Sequence, residues 1–377
     1  MKPKLITFFM NPVKTAEISN LDAIPSPALL VFPERVEANV DRMLDMLAGD
    51  ASRLRPHVKT HKMAEVVRLQ VAKGITRFKC ATIAEAEMTA ESGGSDVLLA
   101  HQPVGPNLAR FLKLQECFPE VAFSATVDSP EVVAEFEKTG QSASLFVDVD
   151  CGMHRTGIEP GDGALALCRR IASAENLEFA GLHAYDGHLH QPDPAERKEA
   201  HVTAIESWAG LLDALEGKNL APSTIVVGGS PTFGLFAQMD NWQCSPGTTL
   251  FWDAGYGRAF PDLEFECAAM LLTRVISKPA GRLCLDLGHK AVAAEKPIGN
   301  RAWFPDLPEA KPFLQSEEHF VLDAPNAGDF AVGDALLAVP WHVCPTVALH
   351  AHAYLVRDGR VTGETWQVAA RKRSLTI

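Results

Sequence analysis

Three stretches of the 377-residue chain hold side chains able to do chemistry in combination. In Pro56-His57-Val58-Lys59-Thr60-His61-Lys62 a lysine stands between two histidines, and a lysine amine can hold a carbonyl compound as a Schiff base. A solvated strand end would look the same, so this stretch by itself leaves both open. Val226-Val227-Gly228-Gly229-Ser230-Pro231-Thr232 combines glycines and hydroxyls, the composition that lets backbone N–H groups come close to a phosphate. Ser245-Pro246-Gly247-Thr248-Thr249 offers a second turn of the same kind; the plain alternative for each is a tight turn without chemistry. His342 and Cys344, two apart in Trp341-His342-Val343-Cys344, would face one side of an extended segment and reach one ion. Imidazole with thiolate suits zinc better than magnesium, although a lone His-x-Cys is common by chance.

These groups need elements to hold them. Short β-rich runs alternate with helical patterns over the first two-thirds of the chain, as βα units around a parallel sheet do. Eight runs read as strands: Ala28–Phe32, Leu54–Val58, Arg77–Cys80, Asp96–Ala100, Val121–Thr126, Ser144–Val149, Leu177–His183 and Thr224–Gly228. Ser129-Pro130-Glu131 marks a helix start, and Thr82 with Glu85 fits a capping box. Eight strands point to an α/β fold of the (β/α)8 barrel type, with a doubly wound open sheet as the alternative. In a barrel, Lys59 falls at the C-terminal end of the second strand, where catalytic side chains sit.

From Glu266 the texture changes to short strands without helices, at Cys267–Ser277, Arg282–Leu287, His319–Leu322 and Ala335–Val339, plus a hairpin turning at Asp358-Gly359. The expected division is a barrel over residues 25–265 and a mainly-β domain over 266–377, joined by residues 1–24 and carrying His342 and Cys344. The segment from Pro297 to Pro312 reads as a surface excursion.

A net charge of −12 without a clustered basic surface argues against a nucleic-acid partner. No run approaches the roughly 20 apolar residues of a membrane span, and no secretory leader is evident, so a cytoplasmic protein is expected. The eight cysteines include no CxxC pair, which speaks against a disulfide framework or a four-cysteine zinc site.

Pro56-His57-Val58-Lys59-Thr60-His61-Lys62, following Pro25-Ser26-Pro27-Ala28-Leu29-Leu30-Val31, resembles the D-threonine aldolase and D-serine dehydratase family of fold-type III enzymes. The likeness covers nearly the whole chain. It continues through Gly152-Met153-His154-Arg155-Thr156-Gly157, His183-Ala184-Tyr185-Asp186-Gly187-His188, Gly228-Gly229-Ser230-Pro231-Thr232 and His342-Val343-Cys344-Pro345-Thr346-Val347. The resemblance implies an alanine-racemase-like barrel, a C-terminal β domain, a homodimer, and pyridoxal 5'-phosphate held by Lys59. It puts Arg155 against the phenolic oxygen of the cofactor and Tyr185 beside its ring; from residues alone, a surface ion pair and a half-buried phenol stay open for these two. Gly228, Gly229, Ser230, Thr232, Gly247 and Thr248 become the phosphate cradle, and His188 joins Lys59 as a catalytic candidate.

In the family the pair matching His342 and Cys344 binds a divalent metal, and its second member is cysteine in zinc-dependent dehydratases but aspartate in several aldolases. This chain has the cysteine, whereas the text Cys344-Pro345-Thr346-Val347 looks more like the aldolase branch. The expected activity is cleavage of small D-configured 3-hydroxy amino acids to glycine and an aldehyde, with zinc favoured and manganese or magnesium open. Dehydration is the first alternative; a racemase or a non-catalytic pyridoxal-phosphate carrier is more remote.

Overall fold

A computed structural model describes residues 13–377, which fall into two compact units. One comprises Met43–Lys59, Val67–Gly247 and Lys372–Ile377; the other comprises the described residues up to Arg42, Thr60–Val66 and Thr248–Arg371. The part of the expected β domain that covers residues 1–12 lies outside the described residues.

Strand β1 (Ala28–Val31) overturns one expectation, because it is not a barrel stave. Its four residues are all buried in the sheet of the second unit. A short run buried on both faces carries no period that says which sheet it joins. The barrel instead uses β2 (Arg77–Cys80), β3 (Asp96–Leu99), β4 (Ala122–Val127), β5 (Ala143–Asp148), β6 (Leu177–Ala184), β7 (Thr224–Val227) and β8 (Gln243–Cys244), parallel and in that order. Two residues are too few for β8 to show in the sequence.

The segment before Lys59 closes the ring. Leu54 bridges to Cys244 and His57 bridges to Lys79, both in parallel. On one side Arg55 N donates to Cys244 O and His57 N to Pro246 O, each at 2.8 Å; on the other, Val58 N donates to Lys79 O and Lys79 N to Pro56 O, each at 2.9 Å. This stave is a set of single bridges rather than a ladder, and Arg55 locks it. The Arg55 side chain is 2% exposed, forks onto both Asp96 oxygens at 2.7 Å and donates through Nε to Gln243 at 2.7 Å.

Local chemistry sets the flanking helices. Ser129 Oγ accepts from Val132 N at 3.3 Å with Pro130 in the first turn, and Thr82 Oγ1 accepts from Glu85 N at 3.1 Å. The Glu85 carboxylate reaches back to Ala81 N at 2.6 Å, one residue before the position of a standard box. Inside the barrel Leu98, Phe146, Ala180 and Val226 form a buried cluster, each large member contributing about 1.5–3 kcal/mol. Gly181, at φ +145°, lets β6 approach β7, since a Cβ there would lie 1.9 Å from Thr224 O. Towards the C-terminal ends of β2, β5 and β6 the filling turns polar, with Lys79, Asp148 and His183 all buried.

In the second unit β1 lies between β9 (Ala269–Ser277), antiparallel to it, and a parallel strand near the C-terminus. The chain continues through β10 (Leu283–Leu285), β11 (Ala302–Trp303), β12 (Lys311–Gln315), β13 (Phe320–Asp323), β14 (Ala335–Pro340), β15 (His352–Arg357) and β16 (Arg360–Gln367). The sheet order is β12-β13-β10-β9-β1-β15-β16, with β14 also on β9 and β11 on β14. Asp358 and Gly359, both at positive φ, make the expected hairpin turn. The segment from Pro297 to Pro312 is not a plain surface excursion, since β11 pairs there with β14 and Trp303, Phe304 and Leu307 are buried. Among the described residues no helix is long and apolar enough to cross a membrane.

Candidate active site

The sequence reading puts His342 and Cys344 on an extended segment, and the structure corrects it. His342, with φ −134° and ψ 101°, is the N-cap of a helix over Val343–Leu349. Pro345 falls in the first turn, where its missing N–H is no loss. Asp253, 1% exposed, fixes this start by accepting from Val343 N at 3.0 Å and from Tyr256 N at 2.8 Å, so one carboxylate caps two helices. Burial pushes that carboxyl up to about 6. Glu295 accepts from His342 Nδ1 at 2.5 Å, which leaves Nε2 to serve a ligand. Burial opposes charge on this ring, but the neighbouring Cys344 sulfur, with Glu295 and Asp253, holds His342 up to about 9. Cys344 Sγ stands 3.2 Å from Thr60 Oγ1 and 3.5 Å from Thr248 Oγ1. Among the described residues no group of three or more His, Cys, Asp or Glu forms a metal cage. The donors are therefore one imidazole and one sulfur, a pair that fits a borderline divalent ion with its remaining positions open.

In the barrel unit the expected residues gather on Tyr185, just past β6. Lys59 Nζ lies 5.4 Å and Arg155 Cζ 4.9 Å from its ring centroid. Both are within cation–π range. The ring fits because its neighbours are glycines: a Cβ on Gly187 would meet it at 2.4 Å and one on Gly229 at 3.2 Å. Gly229 opens the turn after β7, where its N–H donates to Thr232 Oγ1 at 3.4 Å, while Gly247 N donates to Ser230 Oγ at 3.2 Å. An amine, a guanidinium and a turn of hydroxyls and amides thus surround one aromatic ring. This donor set fits pyridoxal phosphate, which presents a carbonyl, a phenolic oxygen and a phosphate. Gly228 stands in the same turn, whereas Thr248 belongs to the other unit beside Cys344.

His188 stands along a cavity of about 790 Å³ that Asp150, His154 and Glu196 also line, while Lys59, Arg155 and Tyr185 do not. A Cβ on Gly152 would lie 3.1 Å from His188 Nε2. Its Nδ1 meets no hydrogen-bond partner among the described residues, and burial lowers its pKa.

A second lysine was not foreseen. Lys79 Nζ is 5.5 Å from the Tyr185 centroid and 3.3 Å from His183 Nε2. His183 Nδ1 meets Asp148 at 2.6 Å, and Thr156 Oγ1 donates to the other Asp148 oxygen at 3.0 Å. Burial first, and then the charge of Lys59, push Lys79 down to about 7 against the pull of Asp148 and Asp186. Burial likewise lowers His183 and pushes Asp186 up to about 6. His183 and Asp148 could have been flagged as polar groups at strand ends. Lys79 could have been flagged as a charge set between Phe78 and Cys80.

The sequence matches the family described as alanine racemase, N-terminal domain, over residues 32–254, and that described as putative serine dehydratase domain over residues 268–356. The chain belongs to the alanine racemase N-terminal domain family. It is 30% identical to a 3-hydroxy-D-aspartate aldolase of Paracoccus denitrificans (strain Pd 1222), covering 92% of each chain. It is 31% identical to a D-threonine aldolase of an Arthrobacter species, covering 93% of this chain and 94% of that one. The crystal structure of D-threonine aldolase from Filomicrobium marinum superposes with a TM-score of 0.85 at 30% identity, covering 93% of this chain and 97% of that one. The protein is an enzyme, a pyridoxal-phosphate-dependent lyase.

Proposed function

We propose that the enzyme cleaves D-configured 3-hydroxy amino acids of the D-threonine type at the Cα–Cβ bond, giving glycine and an aldehyde, with pyridoxal 5'-phosphate and a divalent metal. The observation that carries the site assignment is the placing of Lys59 and Arg155 on the Tyr185 ring, beside the turn that holds Gly229. The preference for aldol cleavage rests on relatives named aldolases that match over more than nine-tenths of their length.

Bound there, the cofactor supplies an electron sink for the pair released when a bond at the substrate α-carbon breaks. Lys59 holds it through the ε-amine, Arg155 offers N–H donors to its phenolic oxygen, and Gly228, Gly229, Ser230, Thr232 and Gly247 hold its phosphate. His342 and Cys344 hold the metal, a Lewis acid towards hydroxyl oxygen, with zinc favoured by this donor pair and manganese or magnesium as alternatives. His188, whose pKa burial lowers, is the base for the β-hydroxyl proton. The working form in this reading is a homodimer in the cytoplasm.

Cys344 favours a second reading, elimination of the hydroxyl to ammonia and a keto acid, as does the match to the putative serine dehydratase domain. Product analysis on D-threonine, D-allothreonine, D-serine and D-3-hydroxyaspartate, with and without chelator, separates the two. Glycine with an aldehyde is expected; ammonia with pyruvate or 2-oxobutanoate would overturn aldol cleavage.

A further inference from the structure

We infer that Lys79 is a second cation of the cofactor pocket whose charge follows the anion held there: above neutral pH it is an amine while the pocket is empty and an ammonium when a phosphate ester fills it. This rests on the reading of the Lys59 site as a pyridoxal-phosphate site.

The placement begins in the backbone. Lys79 is in register with His57 across a parallel bridge, and His57 lies two residues before Lys59. Lys59 follows in the turn just after that bridge, so the two lysines leave adjoining staves side by side. Their nitrogens meet on the same ring, at 5.4 and 5.5 Å from the Tyr185 centroid. Lys79 is 2% exposed, so water does little to support its charge.

The neighbours set the balance. Asp148 engages His183 Nδ1 at 2.6 Å and thereby keeps the proton on that nitrogen, so Nε2 turns a lone pair towards Lys79 Nζ at 3.3 Å. That acceptor holds the nitrogen in place whether Lys79 is charged or neutral. Of the cations that bear on the network, Arg55 is paired with Asp96, whereas Lys59 and Arg155 share the Tyr185 ring with Lys79. Against them stand the carboxylates of Asp148 and Asp186, while burial lowers the pKa of His183. Asp148 is already committed to His183 and Thr156, and Asp186 resists ionisation because it is buried. The pocket therefore carries a cationic surplus when empty, and Lys79 at about 7 is the group that sheds it. A dianion cancels the surplus and draws a proton onto Lys79. Above about pH 7 binding then takes up a proton; below about pH 6 Lys79 is already charged and uptake fades.

The test uses the full-length apoprotein and pyridoxamine 5'-phosphate, which has the ring and phosphate but no carbonyl for Lys59. Calorimetric titration at pH 8 and pH 6, in buffers of different ionisation enthalpy, counts protons. Wild type is expected to take up about one proton per site at pH 8 and clearly less at pH 6. Lys79→Met and Lys79→Arg should both abolish the uptake. Lys79→Met should also weaken binding on the order of tenfold, while Lys79→Arg, permanently charged, stays near wild type. Absence of uptake in wild type, or its survival in folded Lys79→Met or Lys79→Arg, overturns the inference. Pyridoxal phosphate added to wild type separates the two levels. A Lys59-dependent absorbance near roughly 420 nm upholds the cofactor reading whatever Lys79 does, and its absence together with no binding of pyridoxamine phosphate sinks both.

Discussion

Replacing Arg55 with methionine probes the stave that ends in Lys59. The substitution keeps an unbranched apolar stem without the guanidinium and removes three hydrogen bonds of 2.7 Å, two to Asp96 and one to Gln243. Breaking a fully buried ion pair costs about 3–5 kcal/mol. Here Arg55 is 2% exposed but Asp96 is 31% exposed, and Arg77 remains 3.7 Å from the same carboxylate. Asp96 can rehydrate in part, which lowers the expected loss to about 2–3 kcal/mol. The loss should be local, since Leu54–Val58 is joined to its neighbours by single bridges. Native-state hydrogen exchange reads it directly. The amides of Arg55, His57 and Val58, which donate across both seams, should exchange roughly 30- to 150-fold faster, while those of β4 and β5 change little. Exchange at the three amides within about threefold of wild type, in a variant that is otherwise folded, would refute the idea that Arg55 holds the seam.

Two further outcomes follow from the same geometry. Glu295→Gln removes the carboxylate from His342 Nδ1 and should weaken zinc binding by about 10- to 100-fold in competition with a chelator; unchanged affinity would show that Glu295 does not orient the ring. Lys79→Met should alter how stability depends on pH. Lys79 falls from 10.5 to about 7 on folding, so between these values the unfolded chain binds more protons and wild type gains stability as pH rises. At about 1.4 kcal/mol per pH unit the full swing is on the order of 5 kcal/mol. Thermal melts of the apoproteins at pH 6 and pH 10 should show wild type gaining on Lys79→Met across that range, and parallel curves would contradict the burial of the charge.

Much of the barrel was legible because alternating β and helical patterns mark βα units, and Lys59 stood at a strand end in any version of the count. The count of eight was reached with the wrong members. β1 is as apolar as a stave but is hydrogen-bonded to β9 and β15, and β8 is two residues long. Pairing partners are a tertiary property that neither run encodes locally. Lys79 escaped notice for a related reason, since a lysine in a short strand resembles a solvated face until ring closure beside His57 buries it. Glu295 lies 47 positions from His342, beyond the reach of any spacing rule. The extended reading of His342 and Cys344 failed because it rested on their spacing alone, while Pro345, in the first turn, is compatible with a helix start.

The double cap at Asp253 bears on how the His342 and Cys344 pair comes into being. The carboxylate and the amide it holds are 90 positions apart, so a growing chain has made Asp253 long before it makes either donor. Until the later segment arrives and docks, His342 and Cys344 are two side chains on an unformed turn with no fixed separation. For the ion proposed above, a tight site there would belong to the finished unit, and loading would follow folding instead of guiding it. The same dependence makes the pair a reporter: an ion held tightly by His342 and Cys344 certifies that the loop around Asp253 has found its place.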